Sequence, residues 1–149
     1  MPSASNEVVV ARPAADVFAF LSDGENDVRW RPGVLEMKRA SDTTYHQKVK
    51  GPGGRAVSAD VEITESRPNE LIAFRATSGP VRPRGRYVLT PEGDGTRVRF
   101  ELETELGGLK RLLAPMVQKT MNSEVAALAN LKRVLEAGAE ESDSSQTGV

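Results

Sequence analysis

The stretch LKRLLAPMVQKTMNSEVAALANLKRVLE, residues Leu109–Glu136, decides how this chain folds. Its large apolar residues recur at steps of three and four, which places them on one face of an α-helix. They are Leu109, Leu112, Leu113, Met116, Val117, Met121, Val125, Leu128, Leu131 and Leu135. A continuous helix of this length spans about 42 Å. Pro115 lies inside the pattern, so we expect a kink about one turn after the helix begins.

The segment from Val34 to Glu105 supplies the surface that such a helix needs to cover. Short runs typical of strands alternate there with turn signals, among them GPGGR (51–55) and PEGDG (91–95). Within 55–65, apolar and polar residues alternate strictly, as in a strand with one buried face. Strands joined by short turns form an antiparallel meander. The predicted strands are 34–41, 44–50, 55–65, 70–77, 84–90 and 96–105.

The N-terminal part adds one strand and two short helices. Asn6–Ala11 is rich in β-branched residues, which favours a strand, and Pro13 suits the first turn of a helix. A helical turn over Glu25–Trp30 follows, and it holds the only tryptophan of the chain. The fold class is therefore α+β, a curved antiparallel sheet wrapped around one long C-terminal helix. Residues 1–137 form the single domain, and the acidic tail 138–149 is expected to be disordered.

Composition excludes several functional classes. The chain has 149 residues and a formal net charge of -1, which gives no electrostatic reason to expect nucleic acid as a partner. Without cysteine, disulfides and thiolate metal sites are excluded, and the single histidine excludes a His-rich metal centre. We expect no metal and no cofactor. MPSASNEVVV shows no signal peptide or membrane span, so we expect a cytoplasmic protein without stable membrane insertion.

Several stretches together resemble one known superfamily. They are VVVARPAADVFAFLSDGENDVRWRPGV, the GPGGR turn, GRYVLTPEGDGTRVRFELE and LLAPMV…LANLKRVLE. They resemble the START-like helix-grip proteins, in the branch labelled polyketide cyclase/dehydrase and lipid transport, also called SRPBCC. The resemblance covers Glu7 to about Glu136. It implies the helix-grip fold and a cavity under the long helix that binds or transforms a hydrophobic small molecule. The superfamily has no universal catalytic motif, so the resemblance assigns no catalytic residue.

By analogy with these proteins, the resemblance implies cavity-lining positions only. Trp30 is expected at its entrance, although a tryptophan that plugs the end of the core remains an equal alternative. Tyr45 is a candidate polar anchor, because a buried phenol needs a hydrogen-bond partner that a bound ligand could supply. The complete set of expected lining residues is Trp30, Tyr45, Phe74, Tyr87, Phe100, Met116 and Met121.

Other polar residues favour surface roles. His46 shares a strand face with Lys48 and Lys50, so we interpret it as a surface histidine rather than a general base. GPGGR lacks the Lys-Ser/Thr and the helix that a phosphate-binding loop needs, which favours a hairpin turn. If Leu89 pairs with Val98 across PEGDG, three arginines face glutamates on the outer side of the sheet. The expected pairs are Arg82 with Glu105, Arg84 with Glu103 and Arg86 with Glu101.

Three functions remain open at this point. The leading hypothesis is a carrier that binds a lipid, a polyketide-like or an aromatic molecule. The second is a cyclase or dehydratase that acts on a polyketide-like substrate, and the third is a regulatory or protein-interaction domain with a residual cavity. Buried ionisable or hydroxyl groups facing the cavity would favour the enzyme. For the helix, we expect Leu112, Met116, Leu128 and Leu131 to be buried and Lys119, Asn122, Lys132 and Arg133 to be exposed. The oligomeric state stays open.

Overall fold

A computed structural model describes the backbone of residues 2–147 and the side chains to residue 138, apart from that of Pro52. The strands are β1 (Ser3–Val10), β2 (Val34–Arg39), β3 (Thr44–Lys50), β4 (Ala56–Ser58), β5 (Val61–Arg67), β6 (Leu71–Ala76), β7 (Arg84–Glu92) and β8 (Gly95–Glu103). The α-helices are α1 (Ala14–Ser22), α2 (Ala114–Ala126) and α3 (Leu128–Thr147). Three 3-10 segments cover Gly24–Arg29, Pro52–Gly54 and Gly108–Leu113.

The strands form one antiparallel sheet in the order β1-β8-β7-β6-β5-β3-β2, with β4 paired to β3. The predicted meander is confirmed. The predicted strand 55–65 is instead divided at Ala59 and Asp60. There, backbone and side-chain bonds are mixed: the Ala59 N–H donates to the Gln47 carbonyl at 2.8 Å, while Gln47 Nε2 donates to the Ala59 carbonyl and the Asp60 N–H to Ser78 Oγ, both at 2.8 Å.

The C-terminal helical region is divided into three parts. A 3-10 segment precedes α2, and Pro115 lies in the first turn of α2, where its missing N–H breaks no helical bond. Pro115 therefore marks the change from 3-10 to α geometry rather than a kink inside one helix. A second break, at Ala127, is not predicted by the sequence. The Ala127 N–H donates to the Glu124 carbonyl at 3.1 Å, which is the tighter i→i+3 bond of a 3-10 turn.

Helices α2 and α3 are fixed along β1. Asn6 Nδ2 donates to the Val125 carbonyl at 3.0 Å, and Lys132 Nζ donates to the Val9 carbonyl at 2.7 Å. Val117, Val125 and the other buried residues of these helices pack with the inward side chains of β7 and β8 in the main core. The predicted helix-grip arrangement is confirmed.

The predicted pattern of buried and exposed residues along the C-terminal helix is confirmed at most positions and wrong at two. Leu128 and Leu131 are fully buried, whereas Lys119, Asn122 and Arg133 are exposed and Lys132 is partly exposed. The expected burial of Leu112 and Met116 is wrong, because these residues are 80% and 48% exposed. Leu112 lies in the 3-10 segment, whose three residues per turn rotate the apolar stripe away from the direction that 3.6 residues per turn would give it.

The predicted domain boundary at residue 137 falls within helix α3. This helix continues to Thr147. Side chains beyond residue 138 lie outside the described residues, so the acidic tail stays a prediction. Between residues 2 and 147, no helix is long and apolar enough to cross a membrane.

Candidate functional site

Four aromatic side chains form a cluster in the middle of the core. Phe74, Tyr87 and Phe100 come from β6, β7 and β8, and Trp30 follows the first 3-10 segment. The Tyr87 and Phe100 ring centroids are 4.6 Å apart, and the Trp30 indole meets these two rings edge-on at 6.0 and 6.2 Å. The β7–β8 register places Tyr87 opposite Phe100, as predicted. These four residues are called the aromatic cluster below.

The segment GENDVRWRPGV, residues Gly24–Val34, carries Trp30 into this cluster. Asp23 caps the 3-10 segment by accepting the Glu25 N–H at 3.1 Å. The Trp30 carbonyl accepts Asn130 Nδ2 of α3 at 3.1 Å. The segment is therefore tied to the C-terminal helix, and its tryptophan is buried inside the core. Of the two roles that the sequence leaves open for Trp30, this burial favours the core position.

A buried ionic cluster adjoins the aromatic cluster. Arg31 Nη1 lies 2.8 Å from Asp27 Oδ2 and donates to Gln47 Oε1 at 3.3 Å. Arg31 Nε donates to Glu124 Oε2 of α2 at 3.0 Å. Asp27, Arg31 and Gln47 are all buried, and Glu124 is nearly so. Arg31, Asp27, Glu124 and Gln47 are called the Arg31 cluster, which joins the first 3-10 segment to β3 and α2.

Burial and the neighbouring charges together set the pKa values in and beside this cluster. It raises the pKa of Asp27, and the positive charge of Arg31 only partly opposes that rise. Burial acts against the charge of Arg31, but Glu124 and Asp27 more than compensate and raise its pKa, so Arg31 remains a cation. Burial also raises the pKa of Tyr87 well above its ordinary value, and the charge of Asp27 adds to the effect. The Tyr87 hydroxyl is therefore a neutral hydrogen-bond donor.

Two polar atoms of the aromatic cluster are buried and form no hydrogen bond within the described residues. Among the described residues, the Tyr87 hydroxyl and Trp30 Nε1 have no hydrogen-bond partner, although the indole N–H lies close enough to Asp27 to lower the pKa of that carboxyl group. A buried polar group left unpaired costs about 1–3 kcal/mol, and native proteins contain few of them. The Tyr87 hydroxyl is the clearer case, because no side chain of the described residues forms a hydrogen bond with it.

Of the three remaining predicted cavity residues, only Met121 belongs to the same core as the aromatic cluster. Tyr45 belongs to a smaller core group beside β2, and its hydroxyl already has backbone partners: it accepts the Gly24 N–H at 3.1 Å and donates to the Ser22 carbonyl at 3.3 Å. Met121 is buried in the main core. Met116 faces solvent. The structure therefore brings together five of the seven predicted residues: Trp30, Phe74, Tyr87, Phe100 and Met121.

His46 lies on the outer surface, as predicted. Its Nδ1 is 3.4 Å from Asp60 Oδ2, in an open cleft of about 280 Å³. None of the aromatic cluster lines this cleft. Among the described residues, no three His, Asp or Glu side chains are placed to hold a metal ion together.

The outer face of β7 and β8 carries the predicted ion pairs. Arg84 Nε lies 2.6 Å from Glu103 Oε1, and Arg86 Nε lies 2.5 Å from Glu101 Oε2. Arg82 differs from the prediction, because it donates to the Gly79 carbonyl at 3.4 Å. GPGGR forms the predicted turn, with both of its last two glycines at positive φ.

Sequence reasoning missed the Arg31 cluster. Asp27 and Arg31 stand four residues apart, a spacing that allows an ion pair within one helical turn. Nothing in the local sequence indicates that Glu124 lies beside them. The polar side chain of Gln47 on an otherwise apolar strand face was the available signal.

Comparison with known proteins agrees with this architecture. The family model described as polyketide cyclase/dehydrase and lipid transport matches residues 1–136. The chain belongs to this family. Among curated proteins, none matches the sequence.

Several solved structures share this fold with the chain at low sequence identity. A protein of Thermus thermophilus is 24% identical, with a TM-score of 0.78 over 92% of this chain and 99% of that one. A START superfamily protein from Mycobacterium smegmatis is 21% identical, with a TM-score of 0.67 over 93% of this chain and 97% of that one. The di-domain ARO/CYC BexL from the BE-7585A biosynthetic pathway is 21% identical, with a TM-score of 0.65 over 89% of this chain and 47% of that one. At these identities the likeness concerns the fold alone.

Proposed function

We propose that this domain binds a small, uncharged and largely apolar molecule between its sheet and its C-terminal helices. The Tyr87 hydroxyl donates the hydrogen bond that orients the ligand. The observation that carries the proposal is this buried hydroxyl, which has no partner among the described residues. An oxygen acceptor on a ligand would satisfy it. Membership of a family described by cyclase, dehydrase and lipid transport functions supports a small-molecule role.

The charge of the neighbouring Arg31 cluster supports an uncharged ligand. Arg31 already has Asp27 and Glu124 as partners, so the cluster holds one cation and two carboxyl groups. It therefore offers no excess positive charge to a ligand. Moving a ligand carboxylate into this apolar surrounding without a new cation is unfavourable. A ketone, quinone, ether or neutral hydroxyl group avoids this penalty and still accepts a hydrogen bond.

The apolar part of the ligand is proposed to contact Trp30, Phe74 and Phe100, with Met121 on the helix side. Aromatic rings suit flat ligands, and the thioether of methionine adapts to irregular shapes. The rings of the aromatic cluster now pack against one another, so a ligand must separate them in order to enter. Tyr45 is left out of the proposed site because its hydroxyl already has backbone partners, and Met116 because it faces solvent.

Calorimetry with a matched pair of ligands tests this proposal. The neutral ketone 2-acetonaphthone and the anion 2-naphthoate share one ring system and differ mainly in charge. We expect the ketone to bind with a stoichiometry of one, to change the emission of Trp30 saturably and to bind at least about tenfold more tightly than the anion. Equal or tighter binding of 2-naphthoate would contradict the assignment of an uncharged ligand. Binding of the ketone with unchanged Trp30 emission would place the ligand elsewhere.

A second candidate function is proton-transfer chemistry on the same ligand class. It is favoured by one observation, the buried carboxyl group of Asp27 beside the aromatic cluster, whose pKa is raised by burial. A raised pKa favours the protonated form, in which a carboxyl group can act as a general acid. In a dehydration of a polyketide-like β-hydroxy ketone, it would protonate the departing hydroxyl group, which leaves as water, while a base removes the α-proton. Mass spectrometry of a β-hydroxy ketone incubated with wild-type protein and with Asp27→Asn distinguishes this candidate, because only the wild type should release water.

A further inference from the structure

One apolar face of the C-terminal region is left uncovered by the described part of the chain. Leu109 and Leu112 are 86% and 80% exposed, and Leu113 and Met116 are 40% and 48% exposed. Leu109, Leu112 and Leu113 lie in the 3-10 segment and Met116 in the first turn of α2, so one short stretch of chain presents all four. They are called the Leu109–Met116 face. Contiguous exposed apolar patches on monomeric proteins mark interaction sites more often than chance exposure does.

The charged residues within this segment of the chain have one sign. Lys110, Arg111 and Lys119 are all exposed. From Leu106 to Ser123 the chain contains no acidic residue. The chain as a whole has a net charge of -1, so this positive charge is a local feature of the face rather than a property of the whole surface.

The fold holds the face in place. Gly108, with φ of 60°, turns the chain out of the sheet into the 3-10 segment, a backbone conformation that favours glycine. Lys110 Nζ then donates to the Pro80 carbonyl at 2.8 Å, which joins the segment to the loop between β6 and β7. The four apolar side chains are therefore presented by a fixed element.

We propose that the Leu109–Met116 face docks on the surface of an anionic lipid bilayer. The leucines and Met116 enter the boundary between headgroups and acyl chains, and the basic side chains meet the headgroup phosphates. Exposed apolar side chains with lysine and arginine beside them are typical of segments that lie in the membrane interface without spanning it. This inference does not depend on the proposed ligand.

The same charges argue against a second copy of this chain as the occupant. A two-fold symmetric contact through this face would bring the basic groups of one copy close to those of the other. Lys110, Arg111 and Lys119 of the two copies would then repel one another without acidic partners from this segment. An anionic bilayer supplies the opposite charge and an apolar phase together.

Co-sedimentation with vesicles tests the proposal on the full chain. We expect binding to vesicles of phosphatidylcholine and phosphatidylglycerol in equal parts, and much weaker binding to phosphatidylcholine alone. Leu109→Ser with Leu112→Ser should reduce binding by roughly tenfold or more, because two exposed apolar side chains are lost from the interface. Leu35→Ser is the control: Leu35 is an exposed apolar residue on β2, away from the face, and its loss should leave binding unchanged.

A second pair of variants tests the charge. Arg111→Gln should reduce binding to the anionic vesicles by about fivefold and make it less sensitive to salt. Lys50→Gln removes an exposed charge on β3 and should change neither. All these side chains are exposed, so denaturant midpoints should match the wild type. The proposal is overturned if the wild type binds neither vesicle. It is equally overturned if the leucine variants bind as the wild type does, or if the wild type forms a dimer that they dissociate without vesicle binding.

Discussion

The Arg31 cluster and the outer face of β7 and β8 use the same ion-pair chemistry in opposite surroundings. Arg31 contacts Asp27 and Glu124 in the core at 2.8 and 3.0 Å, while Arg86 contacts Glu101 at 2.5 Å in water. Inside, burial raises the pKa of Asp27. Outside, hydrogen bonds from Arg99 and Arg86 lower the pKa of Glu101. Geometry alone therefore does not determine what an ion pair does, because the cost of removing the charges from water differs.

This contrast indicates different roles for the two sets. Exposed pairs typically contribute less than about 1 kcal/mol each. A buried pair is often no more stabilising than apolar residues of the same size would be, yet breaking it is strongly unfavourable. The Arg31 cluster is thus poorly explained by stability alone. Its position beside the aromatic cluster is consistent with the proposed selection of an uncharged ligand.

The largest expected effect comes from removing the buried cation. Arg31→Met leaves Asp27 and Glu124 buried without their partner and should lower the free energy of unfolding by about 3–5 kcal/mol. Arg84→Met on the outer face is the matched control and should cost less than about 1 kcal/mol. Urea denaturation of both variants measures the difference. Similar losses in the two variants would remove the distinction between the two sets of ion pairs.

Substitutions of apolar residues in the C-terminal region should also cost more stability inside the core than on the surface. Leu128 is fully buried, so Leu128→Ala should lower the free energy of unfolding by about 2–5 kcal/mol. Leu112→Ala should change it by less than about 0.5 kcal/mol, because Leu112 already faces water. Denaturant melts of the two variants test the assignment. A loss well below about 1 kcal/mol for Leu128→Ala would mean that the buried side of the helix is wrongly identified.

The contributions of Asp27 and Glu101 to stability should depend on pH with opposite signs. The native pKa of Asp27 is raised above the ordinary value of 3.8, so the native state binds its proton more tightly than the unfolded state does. The stability that this group contributes is present below pH 3.8 and is lost as the pH rises through the native pKa. The pKa of Glu101 is lowered, so its contribution is present at higher pH and is lost on acidification.

Stability curves of two variants separate these contributions. As the pH falls from neutrality, the wild type should gain stability relative to Asp27→Asn and lose stability relative to Glu101→Gln. Urea melts across the acidic range give both differences. Parallel curves for the wild type and Asp27→Asn would show that Asp27 has the same pKa in the folded and unfolded states.

Only a small effect on stability is expected at Tyr87, although this residue is buried in the core. Tyr87→Phe removes a buried hydroxyl that has no partner among the described residues, so the free energy of unfolding should stay within about 1 kcal/mol of the wild type or rise. A thermal melt without ligand measures this change. A loss above about 2 kcal/mol would indicate a hydrogen bond in the unliganded protein and would remove the main support for the proposed ligand contact.

Local patterns of the sequence predict most of the fold. Alternation along β7 and β8 correctly places Tyr87 and Phe100 inside and Arg86 outside, because a strand has a side-chain period of two. Helical periodicity, in contrast, wrongly predicts that Leu112 and Met116 are buried. Their spacing is helical, but spacing alone does not show where the covering sheet ends or where the chain takes 3-10 geometry.

The site is less accessible to sequence reasoning than the fold. Arg31 and Glu124 are 93 residues apart, and no periodicity connects them. Tyr45 illustrates the reverse case. Alternation suggests that its phenol faces inward, but the Gly24 N–H that satisfies it comes from a turn whose path depends on tertiary packing.

The most direct test of the proposed binding function compares two ligands on two proteins by calorimetry. The ketone 2-acetonaphthone has the oxygen acceptor, and 2-isopropylnaphthalene has nearly the same shape without it. In the wild type the ketone should bind about tenfold more tightly than the hydrocarbon, and in Tyr87→Phe the two ligands should bind almost equally. This result would assign the hydrogen bond to the Tyr87 hydroxyl. An unchanged preference for the ketone in Tyr87→Phe would contradict the account.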